Sequence, residues 1–276
     1  MMGTRTQDLI FTLYGDYLRQ RGGVAWIGSL IVLLGTLAVS EQAVRSTASR
    51  MARKGWLETT RHGRNSYYAL TNKTRNLLDE GAQQIFYPPS QAWDGRWYLV
   101  TYAFSDELSS TRHQLRQRLA WLGFGQLGNG TLVSPRDQAT EVQALLDELD
   151  AHEYVHYFHA EPVQLNGHNS LACCCWDLTD LGQKYTTFIQ KYDVAYKTDN
   201  QQALNGQSLS PDHAFSQRFW LMHEYRYFPF ADPYLPPALL AEDWPGETAV
   251  TLFQNYHTLL EAQANAYVDD VLARAS

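Results

Sequence analysis

The sequence predicts an α+β protein in three parts: a basic part with three helices and a strand pair, a part that alternates strands with helices, and a mainly helical part. Three observations support this. Apolar residues recur at helical spacing through the first 54 positions and then give way to two short alternating runs. A Pro-containing stretch, "YPPSQAWDG" at 87–95, separates these from a second set of strands and helices. Helical periodicity returns from Leu171. We therefore place domains at residues 1–86, 93–165 and 171–276 of the 276-residue chain.

The first domain is predicted to be a winged helix-turn-helix. Leu9, Leu13 and Tyr17 mark a first helix that ends at Gly22, and residues 26–34 form a second. Residues 40–54 form a third, and "WLETTRHGRNSYYALT" predicts strands at 56–60 and 66–70 around a tip at 61–65. In such a fold the third helix enters the DNA major groove and the wing touches the neighbouring backbone.

The third helix has one apolar face and one polar, basic face. Ser40 can cap its first turn, and Val44, Ala48 and Met51 recur on one side. The other side carries groups that can bond to phosphates or base edges: Gln42, Arg45, Ser46, Ser49, Arg50 and Arg53. A solvated basic face without a partner is the alternative, which the neighbouring wing and the charge distribution disfavour.

The wing tip carries two arginines and a histidine. Arg61, His62 and Arg64 surround Gly63, where they are placed to reach a phosphate or the minor groove. Charge is also uneven along the chain, since residues 1–86 hold 11 Lys and Arg against 6 Asp and Glu, whereas the whole chain has a net charge of −7. A basic module on an acidic body predicts local, salt-sensitive binding to double-stranded DNA.

The second domain is predicted to be ferredoxin-like. Its segments run strand (RWYLVTYAF), helix, hairpin (FGQLGNGTLVS), helix and strand (YVHYFHAEPV), which is the order βαββαβ. The third domain is predicted from a helix start at Ser210-Pro211-Asp212 and a long final apolar stripe. That stripe is either core or the face of a homodimer.

Cellular location is predicted from what the sequence lacks. Residues 22–39 carry no charge, but glycines interrupt them and a capped basic helix follows, so a buried helix is favoured over a membrane span. The N-terminus has no signal-peptide pattern, and the three adjacent cysteines, 173–175, cannot supply a disulfide framework. We expect a cytoplasmic protein and buried cysteines that pack in the interior.

Several segments, in order, resemble the PaaX family of bacterial transcriptional regulators. They include "AVRSTASRMARKGWL", "GRNSYYALT", "RWYLVTYAF", "WDLTDLGQKYTTFI" and the long "FPFADPYLPPALLAEDWPG". The resemblance spans essentially the whole chain. It implies a repressor of aromatic, phenylacetic-acid-type catabolism and a central domain akin to a small CRISPR spacer-acquisition protein. It also implies an acyl-CoA inducer, phenylacetyl-CoA or a relative. A regulator that answers to another acyl-CoA, or to no ligand, stays open.

An acyl-CoA site needs cations beside aromatic walls. The C-terminal domain offers candidates of both kinds: Trp176, Tyr185, Arg218, His223 and Arg226. The aromatic residues of this set can equally serve only to pack the protein core. Alternative partners for the CoA phosphates are Arg112, Arg116 and Arg118.

The sequence does not favour a catalytic site or a metal site. His156 and His159 fall on opposite faces of a predicted strand, which disfavours a shared metal with His152. Asp106 follows the first strand of the ferredoxin-like segment, where the CRISPR relative places a metal-binding aspartate, but two-metal nuclease chemistry needs several ligands. We predict no catalytic residues, no metal and no cofactor.

Overall fold

A computed structural model describes residues 5–87, 93–161 and 168–274. The predicted boundaries between domains fall largely on residues 88–92 and 162–167, which lie outside the described residues. The described chain forms two compact units. The first contains residues 5–87, 186–227 and 247–274, and the second contains residues 93–161, 168–185 and 228–246. The N-terminal segment and most of the C-terminal helices thus belong to one unit.

The N-terminal segment of the first unit carries four helices: α1 Thr6–Leu13, α2 Ile27–Gly35, α3 Glu41–Arg53 and α4 Asn72–Phe86. The chain continues from α1 through a π-helical turn, Tyr14–Leu18, and a short 3-10 turn, Arg19–Arg21. Both α1 and α2 pack on α3, and Leu13, Val44, Ala48 and Met51 are fully buried. Burial of these apolar positions is the main stabilising contribution to the arrangement.

A three-stranded antiparallel sheet completes this segment, formed by β1 Val24–Trp26, β2 Leu57–His62 and β3 Asn65–Leu70 in the order β1-β3-β2. The strand pair β2–β3 confirms the predicted hairpin, with a shorter tip. The sequence missed β1, because the second predicted helix was started at Trp26, where the chain is still paired with Tyr67. A three-residue strand is too short to show an alternating pattern.

The second unit contains a four-stranded antiparallel sheet in the order β5-β6-β4-β7. Its elements follow the sequence β4 Trp97–Tyr102, α5 Ser109–Trp121, β5 Gly125–Gly128, β6 Thr131–Ser134, α6 Ala139–Leu149 and β7 Val155–Ala160. This is the predicted order of strand, helix, strand, strand, helix, strand. The central strand β4 pairs with both β6 and β7, and Val100 of β4 is buried with Leu115, Leu119 and Val142 from the two helices.

The remaining helices are α7 His168–Cys175, α8 Leu178–Leu204, α9 Pro211–Tyr225, α10 Phe228–Ala231 and α11 Gly246–Ala273. They confirm the predicted helical C-terminus. Helix α9 packs against α1 within the first unit. The predicted start of α9 is correct, but the hydroxyl of Ser210 makes no capping bond to the helix. Among the described residues, no helix contains an uninterrupted apolar stretch of the length that spanning a bilayer requires.

Candidate nucleic-acid interface

Helix α3 presents a continuous polar face to solvent. Its exposed side chains occupy positions i, i+3, i+4, i+7, i+8 and i+11, which align on one side of a helix: Gln42, Arg45, Ser46, Ser49, Arg50 and Arg53. The opposite side is buried through Val44, Thr47, Ala48 and Met51. The apolar side therefore fixes the helix to the unit, and the side predicted to bind DNA is free of the protein core.

Local bonds define where α3 begins and how its cations are held. The Ser40 hydroxyl accepts a hydrogen bond from the Ala43 amide at 3.3 Å, as the sequence predicts for an N-cap. The Nε of Arg45 donates to Oε1 of Glu41 at 2.7 Å, and Arg50 donates to the Thr47 hydroxyl at 3.1 Å. Both side chains are exposed, and each guanidinium has five N–H donors, so donors remain beyond the one used in this bond.

The hairpin tip is narrower than predicted. Arg61 and His62 are paired residues at the end of β2, so the turn itself consists of Gly63 and Arg64. Gly63 has a φ of 59°, a left-handed conformation that glycine adopts without steric cost. Arg61, His62 and Arg64 are all exposed, and the His62 ring lies edge-on to Tyr67 at 5.4 Å. The tip thus presents Arg64 at its apex, with Arg61 and His62 just behind it on β2.

Two further exposed lysines, one directly after α3 and one in contact with the residue before β2, were absent from the predicted set. Lys54 is exposed immediately after α3. Lys73 is exposed in the first turn of α4, with its Nζ 5.1 Å from the ring centre of Trp56, a cation–π contact at the base of the hairpin. The sequence could not place Lys73 near Trp56, because the contact joins two separate elements. The sequence showed only a lysine in the first turn of a helix capped by Thr71.

The five predicted ligand-binding side chains divide between the two units. Trp176 and Tyr185 belong to the second unit, where Trp176 stacks on Trp97 at 6.2 Å. The Tyr185 ring stacks on Phe228 at 4.2 Å, and its hydroxyl donates to Asp232 at 2.7 Å. Burial raises the pKa of the Asp232 carboxyl.

The other three candidates, Arg218, His223 and Arg226, lie in the first unit. Nδ1 of His223 is 2.8 Å from the Thr12 hydroxyl, and burial, together with the positive charge of Arg226, lowers the pKa of His223 to about 4. Arg226 bonds to the Tyr227 hydroxyl at 2.8 Å. Each candidate thus has a packing or hydrogen-bonding role in its own unit, and the ligand role stays a prediction.

Arg218 takes part in a buried charge network. Its Nη2 lies 3.4 Å from Oδ1 of Asp16, and Nε2 of His257 lies 3.1 Å from the same oxygen. Burial alone would raise the pKa of the Asp16 carboxyl, but His257 and Arg218 lower it below its usual value. The network joins the turn after α1 to α9 and α11.

The cysteine prediction is wrong for two of the three residues. Cys173 and Cys174 are exposed, whereas Cys175 is half-buried and packs against a core cluster of the second unit that contains Ala172, because all of them lie on helix α7. Successive residues of a helix point about 100° apart, so three in a row cannot share its buried face.

The histidines and Asp106 considered as metal ligands form no metal-binding group in the part of the chain that the structure describes. No group of three His, Cys, Asp or Glu side chains there is arranged to hold a metal ion. His156 and His159 are both exposed on β7, and His152 bonds to Asp147 at 2.8 Å instead. Asp106 lies exposed at the start of a short 3-10 turn after β4.

Comparison with known proteins identifies relatives of the whole chain. Residues 5–74 match the family described as PaaX-like protein, residues 90–172 match the PaaX protein central Cas2-like domain, and residues 176–270 match the PaaX-like protein C-terminal domain. The chain is 36% identical over 266 residues to the Transcriptional repressor PaaX of Escherichia coli K12, covering 95% of this chain and 83% of that protein. Its fold is similar to that of the uncharacterized protein Rv0674 from Mycobacterium tuberculosis, with a TM-score of 0.61, 20% identity and coverage of 97% and 98% of the two chains.

Proposed function

The chain belongs to the PaaX family, and from that premise we propose that it is a DNA-binding transcriptional repressor of an aromatic, phenylacetate-type catabolic operon. Its role is regulatory rather than enzymatic. The 36% identity to a transcriptional repressor over nearly the whole chain supports this proposal.

The observation that carries the proposal is the exposed face of α3. Six polar or basic side chains lie along it at positions that share one side of the helix, while the other side is buried against the unit. A helix of 13 residues with this division has the length and chemistry to lie in the major groove, where arginine and glutamine read base edges. We assign α3 as the recognition helix and the β2–β3 hairpin as a wing that contacts the flanking backbone or minor groove.

We also assign a fold to the N-terminal segment and to the sheet of the second unit. Three helices followed by a hairpin, with β1 added to its sheet, fit a winged helix-turn-helix. The order β5-β6-β4-β7 in an antiparallel sheet with two helices fits a ferredoxin-like domain. The match of residues 90–172 to a Cas2-like domain supports this second assignment.

Repression is proposed to depend on a homodimer and an acyl-CoA. Two copies would place their recognition helices in half-sites separated by about one helical turn of DNA or a multiple of it. An aryl-acyl-CoA such as phenylacetyl-CoA would bind best to a dimer conformation in which the distance between the two recognition helices does not match the distance between the half-sites. It would release the operator by the difference in its affinity for the two conformations.

The test is fluorescence anisotropy of the purified full-length protein with DNA from upstream of its own gene, at fixed salt. We expect tight binding that phenylacetyl-CoA abolishes and acetyl-CoA does not. Binding that ignores both thioesters supports the DNA-binding assignment and removes this inducer. Absence of preference for the upstream DNA over a scrambled duplex of equal length would overturn the repressor assignment.

A further inference from the structure

Three adjacent cysteines on α7 lie outside the proposed DNA-binding surface. Two of them, Cys173 and Cys174, are exposed, and Cys175 is half-buried. Successive residues of a helix point about 100° apart, so Ala172, Cys175 and Trp176 share one face of α7. The first two cysteines point away from that face. The exposed pair is therefore the part of the triplet that a ligand in solution can reach.

Cys175 is set apart from the pair by its packing in the second unit. It contacts the core cluster that contains Ala172. Its Cβ also lies close to Gly125 of β5, so that a Cβ on that glycine would come within 2.8 Å of it. These contacts hold Cys175 against the sheet, whereas the two exposed cysteines remain on the solvent side of α7.

The exposed thiols line a concave surface of about 290 Å³ at the junction of α7 and α8, formed by residues 173–179. The one carboxylate in that segment, Asp177, already accepts a hydrogen bond from the Asp180 amide at 3.0 Å. No group of three His, Cys, Asp or Glu side chains in the described residues is arranged to hold a metal ion. Within those residues the concave surface therefore offers two accessible sulfur ligands, open space beside them, and no third ligand.

We propose that Cys173 and Cys174 form a binding site for a monosubstituted arsenic(III) compound. Such a compound needs two thiols, because the third bond of its arsenic atom is to its own organic substituent. In the reaction, R–As=O exchanges its bonds to oxygen for bonds to the two sulfur atoms, and both thiol protons leave with the oxygen as water. Arsenic stays trivalent, so no oxidant or reductant is consumed. A structural Zn²⁺ ion is disfavoured, because it requires four ligands.

The adjacent positions of the two cysteines favour two bonds to arsenic over one. Their Cα atoms are about 3.8 Å apart across a trans peptide. Once one sulfur is bound, the second reacts with the same arsenic atom within the chain, at a high effective concentration. A direct disulfide between the same thiols would instead close a smaller, strained ring. The pair should therefore retain arsenic(III) against a competing monothiol, and this property does not depend on the proposed function.

The test is titration of the reduced full-length protein with phenylarsine oxide in the presence of excess glutathione, followed by native mass spectrometry. We expect one phenylarsenic group per chain, bound with the loss of two thiol protons. The dithiol 2,3-dimercaptopropanol should remove it completely. Absence of the adduct, or an adduct that consumes a single thiol, overturns the proposal.

Three single variants show which sulfur atoms bind. C173S and C174S each leave one exposed thiol and should weaken retention of the phenylarsenic group at least about a hundredfold. C175A is the matched control, because it removes the half-buried thiol and should retain the group as the parent protein does. Parent-like retention by C173S would mean that Cys174 binds together with Cys175, and it overturns the assignment. Loss of retention in a C175A variant that keeps the parent's melting temperature overturns it as well.

Discussion

The Thr12 hydroxyl lies 2.8 Å from Nδ1 of His223, a residue 211 positions later in the chain, and the two are buried together between α1 and α9. Since this pair joins the N-terminal segment to the C-terminal helices, the stability of the first unit depends on the protonation of His223.

The first prediction concerns pH. The pKa of His223 is lowered to about 4 by burial and by Arg226, against 6.5 for an ordinary histidine, so the unfolded chain binds an additional proton between these values. The stabilisation is therefore complete above pH 6.5 and is lost as pH falls toward 4. Replacing His223→Gln should reduce the loss of unfolding free energy between pH 7 and 4.5 by about 2 kcal/mol.

Urea unfolding at the two pH values measures this difference. The control is His113→Gln, at an exposed histidine of α5, which should leave the pH dependence as in the parent protein. An unchanged pH dependence in the His223 variant would mean that this histidine is not the titrating group.

The second prediction tests the recognition face. Arg45→Ala and Arg50→Ala should each weaken specific DNA binding by about 1–3 kcal/mol, with less effect on a scrambled duplex, because both side chains lie on the exposed face of α3. Arg118→Ala removes one exposed arginine of α5 and serves as the matched control, so its affinity should stay close to that of the parent. Parent-like binding by both α3 variants would refute the placement of the face.

The third prediction follows from the ion pair on that face. Glu41 holds the Nε of Arg45 at 2.7 Å and places a negative charge next to the proposed phosphate path. Glu41→Gln should tighten DNA binding about two- to fivefold at low salt, since an exposed pair of this kind contributes only about 0.2–1 kcal/mol to the free protein. Anisotropy at 50 and 200 mM salt checks it, because the gain should shrink as salt screens the charge. A loss of affinity would instead indicate that Glu41 orients Arg45 for binding.

The fourth prediction separates the wing from the recognition helix. Arg64→Ala at the hairpin apex should weaken binding to specific and scrambled duplexes alike and reduce the slope of log K against log salt by about one. The salt dependence of anisotropy titrations measures this directly. Loss of sequence preference with an unchanged slope would show that Arg64 reads bases rather than phosphate.

Much of the candidate interface was predictable because its determinants are local. The start of α3 depends on Ser40 and an amide three residues later, and its two faces follow from the spacing of apolar residues over 13 positions. The hairpin follows from alternation on either side of Gly63. Lys73 was missed, since its approach to Trp56 is a contact between separate elements.

The amino-acid sequence by itself determined the order of the helices and strands apart from the three-residue strand β1, the basic face of α3 and the family to which the chain belongs, because period, capping and motif are properties of neighbouring residues. Only the tertiary structure decided that residues 186–227 and 247–274 share a unit with residues 5–87. It also decided that Cys173 and Cys174 face solvent, and that Asp16 meets Arg218 and His257 in a buried network. These depend on contacts between residues up to about 240 positions apart. Such contacts depend on the free energy of packing whole helices and strands against one another. That free energy cannot be read from the pattern of neighbouring residues.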